Sequence, residues 1–281
     1  MSTPPLLAQL LDDAAVFPPG SATLPDAVAA HREHRRAWYA PLVGPLLVPA
    51  SQLPELGPLL AEGEELAVGV IADGPAAGCF APPPAGVRTV QVEAAMARRG
   101  EDPSPALHDF LQRVRESGVP GYAEIPLAWG LLAALDVLAD ARGTGLPVAA
   151  KFRTGGLAAE LFPTPMELAA VIIACHEREL PFKLTAGLHH AIRHTDPETG
   201  FTHHGFLNVL AAACAAAEGA EVTEVAGLLA TTQPLTLIEA VRSRRTQRRP
   251  LWIGFGTCSI PEPLEDLQKL GLLDGRPQLA Q

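Results

Sequence analysis

The sequence predicts an α/β fold, a single-domain (βα)8 TIM barrel spanning residues 1–281 with a long insertion between its seventh and eighth strands. Eight short apolar stretches recur along the chain, most of them separated by helical patterns. That is the grammar of a parallel sheet with helices outside, and eight strands close a barrel. With 281 residues, 48% of them hydrophobic and only 19% charged, the chain can bury one large core, and barrels of this length form one domain. Finally, Pro147 to Gly156 and Pro181 to His190 share a pattern, a buried strand carrying a lysine and ending in a glycine turn, about one βα unit apart. The alternative architecture is an open doubly wound sheet.

In chain order, Leu10 to Phe17 reads as the first strand, turned by Pro18-Pro19-Gly20. Leu24 to Tyr39 is a helix with Pro25 near its start and a polar face, His31 to Arg36, assigned to solvent. Pro45 to Pro49 is the second strand, followed by a helix around Leu53 to Leu60. Leu66 to Asp73 is the third and Val87 to Glu93 the fourth, and the proline-rich Cys79 to Gly86 between them is too short for a regular helix. Ser104 is suited to cap a helix that Gly118 stops, and Gly121 to Pro126 is the fifth strand. Leu131 to Ala141 is helical, the sixth strand carries Lys151, Thr164-Pro165-Met166 opens a helix through His176, and the seventh strand carries Lys183. The oversized connection, residues 188–250, holds a histidine-rich segment read as a lid and at least two helices, around Val209 to Ala217 and Glu221 to Thr231. Leu251 to Ser259 is the eighth strand and Leu264 to Leu273 a terminal helix.

Composition narrows the partners. The net charge is −10, and the one basic run, Arg242 to Arg249, reads as a solvated loop, so nucleic acid is not an expected partner. Cys79, Cys175, Cys214 and Cys258 form no Cys-x-x-Cys pair, which fits reduced thiols and a cytoplasmic location. The first residues lack a basic signal region, and apolar segments such as Val209 to Ala217 are too short to span a bilayer, so no membrane partner is expected. Self-association into a homo-oligomer stays open. No Gly-x-Gly-x-x-Gly or P-loop opens a helix, and no nucleotide cofactor is expected.

In a barrel the strand C-termini converge on one mouth, which here would gather Asp12, Asp13, Asp73, Glu93 and Glu124 opposite Lys151, Arg153, Lys183, Thr185, His189, Cys258 and Ser259. Side chains alternate along a strand, so Lys151 shares a face with Arg153, and Lys183 with Thr185. A neutral lysine amine attacks carbonyls, and a neighbouring ammonium with partial desolvation lowers the lysine pKa toward that state. On this reading Lys151 is the nucleophile, Lys183 its electrostatic partner, and Glu93, Glu124, Asp12 or Asp13 moves protons. A purely structural network of the lysines with Glu93 and Glu124 is the alternative use of the same residues.

Lys151-Phe-Arg-Thr154-Gly155 and Lys183-Leu-Thr185-Ala-Gly187, with Glu124 on the fifth strand and Gly256-Thr257-Cys258-Ser259 on the eighth, resemble the motifs of class I aldolases of the deoxyribose-phosphate aldolase type. The resemblance covers four strands, roughly 121–190 and 251–260. It implies a lyase without a cofactor, with Lys151 as the Schiff-base lysine, Lys183 as its activator and the Gly256 to Ser259 turn as a phosphate site. Arg153 stands where the family has a small residue, and the long insertion has no counterpart. Arg153 points instead to a small anionic carbonyl compound, held by its fork of donors with help from Thr154, Gly155, Gly156, Thr185, His189, His190, Gly256 and Ser259.

Two further readings use other residues. A divalent metal would be magnesium on Asp73, Glu93 and Glu124, similar to the arrangement in the enolase superfamily, or zinc on His190 and His194 within the His189–His204 cluster. A barrel that binds a small anion through Arg153 and its glycine turns, without chemistry, is the non-enzymatic reading.

Overall fold

Strands that are apolar on both faces are stable only with neighbours on either side and cover above and below. In the structure, a computed structural model that describes residues 3–273, eight such strands close into one parallel barrel. They are β1 (Leu11–Asp13), β2 (Val43–Pro49), β3 (Leu66–Ile71), β4 (Val87–Ala95), β5 (Gly121–Glu124), β6 (Val148–Arg153), β7 (Phe182–Thr185) and β10 (Trp252–Thr257). Between the last two, β8 (His194–Thr195) and β9 (Thr202–His203) form a separate antiparallel hairpin. Neighbours run in chain order from β1 to β7, and β10 closes the ring between β7 and β1. The predicted barrel is therefore observed, and the open sheet is not.

The helices are α1 (Leu24–Arg36), α2 (Ser104–Ser117), α3 (Leu131–Gly143), α4 (Pro165–Glu177), α5 (Phe206–Ala217), α6 (Val222–Ala230), α7 (Pro234–Arg242) and α8 (Pro261–Lys269). Local chemistry sets their ends. Thr164 and Glu167 form a reciprocal capping box at the start of α4, with Thr164 N–H donating to Glu167 Oε2 at 2.7 Å. Gly118, left-handed at φ +68°, stops α2 as expected, but the side chain accepting from the first helical N–H is Asp102, with Ser104 already inside the helix.

Several expected boundaries move for identifiable reasons. The first strand is only Leu11–Asp13, because the Ala14 N–H bonds the Thr257 carbonyl and the chain then turns, Phe17 N–H to the Ala14 carbonyl. After β2 the chain forms a 3-10 segment, Ala50–Leu59, in place of an α-helix, since Pro54 and Pro58 supply no amide donors. The terminal helix starts earlier than Leu264, at Pro261, whose fixed φ suits a first turn, and ends at Lys269 ahead of the left-handed Gly271.

The insertion, expected to hold at least two helices, holds three, the third being α7. Most of α5 is buried, and its Phe206 stacks on Phe255 of β10 with ring centroids 5.7 Å apart, so α5 serves as the crossover helix for the closing strand. The basic run is not a simple solvated loop. Arg249 donates to the carbonyls of Leu6 (2.8 Å) and Trp252 (2.6 Å), tying the N-terminal segment to β10, and burial lowers its pKa to about 10. His31 also departs from its expected solvent exposure. It is buried and contacts Asp13 Oδ2 through Nδ1 at 2.9 Å. Among the described residues, no helix is long and apolar enough to cross a membrane.

Candidate active site

The chain has three lysines, and two of them point into the barrel. Lys151 and Lys183 are register partners on β6 and β7, so adjacent parallel strands carry the two side chains side by side. What lies between them is a carboxylate. Glu93 of β4, fully buried, receives Lys183 Nζ on Oε1 at 2.5 Å and meets Lys151 Nζ with Oε2 at 2.8 Å.

Each lysine has a second acid. Lys183 bonds Asp12 Oδ2, and its ammonium lies 5.3 Å from the centre of the Tyr122 ring. Lys151 contacts Glu124 Oε2 at 2.8 Å, while the other oxygen of Glu124 accepts from Arg153 Nε at 3.1 Å. Gln91 joins the two acids on the Lys183 side, its amide nitrogen lying 2.8 Å from Asp12 Oδ2 and 2.9 Å from Glu93 Oε1. A Cβ at Gly44 would fall 2.0 Å from Asp12 Oδ1, so the bare backbone of β2 is what leaves room for this acid.

The electrostatics correct one expectation. The lysine pKa values are not lowered by mutual repulsion. Burial pushes Lys151 down, but Glu124 and Glu93 outweigh it and hold the ammonium above the ordinary lysine value. Lys183 is likewise raised, against burial, by Asp12 and Glu93. Burial would raise Glu93, yet the two ammonium groups bring it down to about 2, so it stays ionised. Glu124 is also lowered against burial, by Lys151 and then Arg153. Burial keeps Asp12 raised despite Lys183, and pushes the Tyr122 phenol up to about 12.

A cavity of about 490 Å³ opens beside Glu124 at the C-terminal mouth, between the loop after β4, the exit of β5, Arg153 and the segment after β6 that includes Phe162. Glu124 and Arg153 line it. Lys151 is 2% exposed and lies behind Glu124. Another cavity of similar size, at Trp38, Tyr39 and Leu264, is bounded by the ends of α1 and α8 and contains none of the network.

The other expected site residues fall elsewhere. Asp13 points out of the network toward His31, so alternation divides the Asp12-Asp13 pair. Thr154 is buried, with Oγ1 donating to the Ala186 carbonyl at 2.6 Å, and a Cβ at Gly155 would sit 2.9 Å from Gly187 Cα. The turns after β6 and β7 thus interlock backbone to backbone. Gly156 packs on Leu161, and Gly256 pairs with Asp12 and Thr185. Ser259 and Thr257 bond each other locally.

The histidines of the cluster bond to α8, to neighbouring loop backbone and, for His204, to the Pro163 carbonyl ahead of α4 at 2.8 Å. His189 Nδ1 lies 3.1 Å from Glu262 and 3.9 Å from Cys258 Sγ, and His190 Nδ1 lies 3.2 Å from Asp266. His194 stacks on His203, whose ring meets Phe162 edge-on at 4.9 Å between centroids. For the metal readings, Asp73 is exposed and bonded to Ser51, while Glu93 and Glu124 are engaged by the lysines. The expected zinc pair, His190 and His194, meets edge to face with ring centroids 4.8 Å apart, and among the described residues no three His, Cys, Asp or Glu side chains gather as a metal ion requires.

Gln91 and Tyr122 were missed from sequence, although each lies two residues before a named acid and therefore on its face of the strand. Compared with protein-family models, curated proteins and solved structures, the chain matches none.

Proposed function

We propose that the protein is a lyase of the aldolase type, acting on a small anionic carbonyl compound through an imine on Lys151. The observation that carries this reading is the pair of buried lysines sharing Glu93, one of which reaches the cavity-lining Glu124. A buried ion network without function would not require that one of its acids open on a cavity at the catalytic face of a barrel.

In this chemistry Lys151 Nζ gives a proton to Glu124 Oε2, against the preference of the resting pair for the ionised forms, and the freed amine adds to the substrate carbonyl carbon. The carbonyl oxygen leaves as water, giving a protonated imine. That imine takes up the electron pair of the breaking bond between the α- and β-carbons, while the proton of the β-hydroxyl passes to a carboxylate and the β-carbon departs as an aldehyde. Protonation of the enamine and addition of water return the free amine. Glu93, held ionised at a pKa of about 2, is an electrostatic anchor and not the proton carrier, and Lys183 balances its charge. The small-anion-binding reading shares the cavity but gives the lysines no task.

Borohydride reduction in the presence of small aldehydes and keto acids, followed by peptide mass spectrometry, tests this. The exposed Lys269 is an internal reference for nonspecific labelling. The expected result is an adduct on Lys151 that disappears in Lys151→Met, and labelling of Lys269 with none on Lys151 across the panel overturns the reading.

A further inference from the structure

We infer that the cavity beside Glu124 contains an anion subsite, in which Arg98 and Arg99 join Arg153 to take the acid group of the substrate. This deepens the imine reading and rests on it for the orientation of the substrate, but the site itself stands on separate observations.

Arg98 and Arg99 come from the loop between β4 and α2, at the C-terminal end of the strand that carries Glu93, and both line the cavity. Among the described residues neither forms an ion pair with a carboxylate. The Arg98 guanidinium has no bonded partner, and Arg99 Nη1 donates only to the Glu160 carbonyl at 2.9 Å. Arg153 uses Nε on Glu124 and leaves its two terminal amino groups unbonded. Of the acids on the wall, Glu124 is engaged by Lys151 and Arg153, and Glu167 is locked in the cap of α4. Three guanidinium groups therefore line a space whose remaining wall acids are Glu160 and the capping Glu167, the latter within the electrostatic reach of Arg99, in a chain whose net charge is −10. Planar forks of donors with no internal acceptor are the chemistry that holds a carboxylate or phosphoryl group.

The geometry also limits the length of the ligand. Lys151 Nζ is 2.8 Å from one oxygen of Glu124, and Arg153 Nε is 3.1 Å from the other, so the guanidinium lies within about 8 Å of the amine. A carbonyl carbon bonded to the amine and an acid group at hydrogen-bond distance from Arg153 leave room for roughly two to four carbons. The class is a short oxo-acid or an equally short phosphorylated carbonyl compound.

Two measurements on the intact chain test the subsite. In titration calorimetry with succinate and with inorganic phosphate, the wild type binds at least one probe. The Arg98→Ala/Arg99→Ala variant loses about tenfold or more in affinity, whereas Arg113→Ala, on α2 and outside the cavity lining, keeps it. Tighter succinate binding assigns a carboxylate, and tighter phosphate binding a phosphoryl group. In borohydride trapping, succinic semialdehyde half-saturates Lys151 at a concentration about tenfold or more below that of butanal, and the double variant closes that gap. If the wild type binds neither probe, or the double variant binds as well as wild type, the subsite is wrong. If the two aldehydes trap equally, the subsite is wrong and the imine reading stands. If neither traps while succinate binding depends on Arg98 and Arg99, the imine reading falls and the subsite stands.

Discussion

Lys151 and Lys183 sit side by side on adjacent strands and share one carboxylate, yet their surroundings differ. Lys183 is enclosed by Asp12, Glu93 and the Tyr122 ring, and Gln91 bridges its two acids from the same side. Lys151 has a second acid that also faces a cavity and an arginine. Identical side chains in register thus acquire different chemistry from what lies beyond them. The carboxylates that hold Lys183, Asp12 and Glu93, are enclosed with it, whereas Lys151 has Glu124 between itself and the open mouth.

The sharpest way to break this comparison is to remove what the two lysines share. Glu93→Gln leaves two buried ammonium groups short of one negative charge, and an unfolding free energy lower by about 3–5 kcal/mol is expected in urea titrations. The pH dependence follows from the same group. Because the Glu93 carboxyl is depressed to about 2 in the fold, its contribution is fully present above the ordinary glutamate pKa and is lost as pH falls from about 4.5 through about 2. Asp12, raised by burial, runs the opposite way and offsets part of that loss. Urea titrations between pH 5 and pH 2 should show a steeper decline in wild type than in Glu93→Gln, and equal slopes would mean that Glu93 is not the depressed group.

A second variant separates the open side from the closed one. Glu124→Gln keeps the shape of the side chain but removes the acceptor for the Lys151 proton, and the rate of borohydride trapping at Lys151 is expected to drop about 100-fold with the fold retained. An undiminished rate would assign the proton to another group. The smallest effect is expected outside the network altogether. His31→Ala leaves Asp13 buried without its imidazole, costing about 1–3 kcal/mol of stability by thermal or urea unfolding, while trapping at Lys151 keeps its wild-type rate. A change in trapping would connect the Asp13 side of β1 to the Asp12 side.

The lysines and acids of the network were legible because charged residues inside apolar strands are costly and therefore informative. Alternation along β1 could divide Asp12 from Asp13 but could not say which one faced inward, since the strand is only three residues long. His31 was illegible for a different reason. It stands among arginines and glutamate on a helix whose other polar residues are more exposed, and only its Asp13 partner explains its burial. Nothing in the sequence singles out Arg98 and Arg99, because a cavity formed by separate loops has no signature in either of them. The turns after β6 and β7 share a pattern in the sequence, and in the structure their glycines pack on each other and do not line the cavity.

That packing has a mechanical consequence. With Thr154 bonded to the Ala186 carbonyl and Gly155 against Gly187, the two turns form one clamp across the strands that carry Lys151 and Lys183. The clamp holds the two lysine-bearing strands in register at their C-terminal ends. There the Arg99 guanidinium bonds the Glu160 carbonyl and bridges the loops after β4 and β6. The exits of β4, β6 and β7 are thereby laced to one another by contacts that none of the three strands makes within the barrel itself.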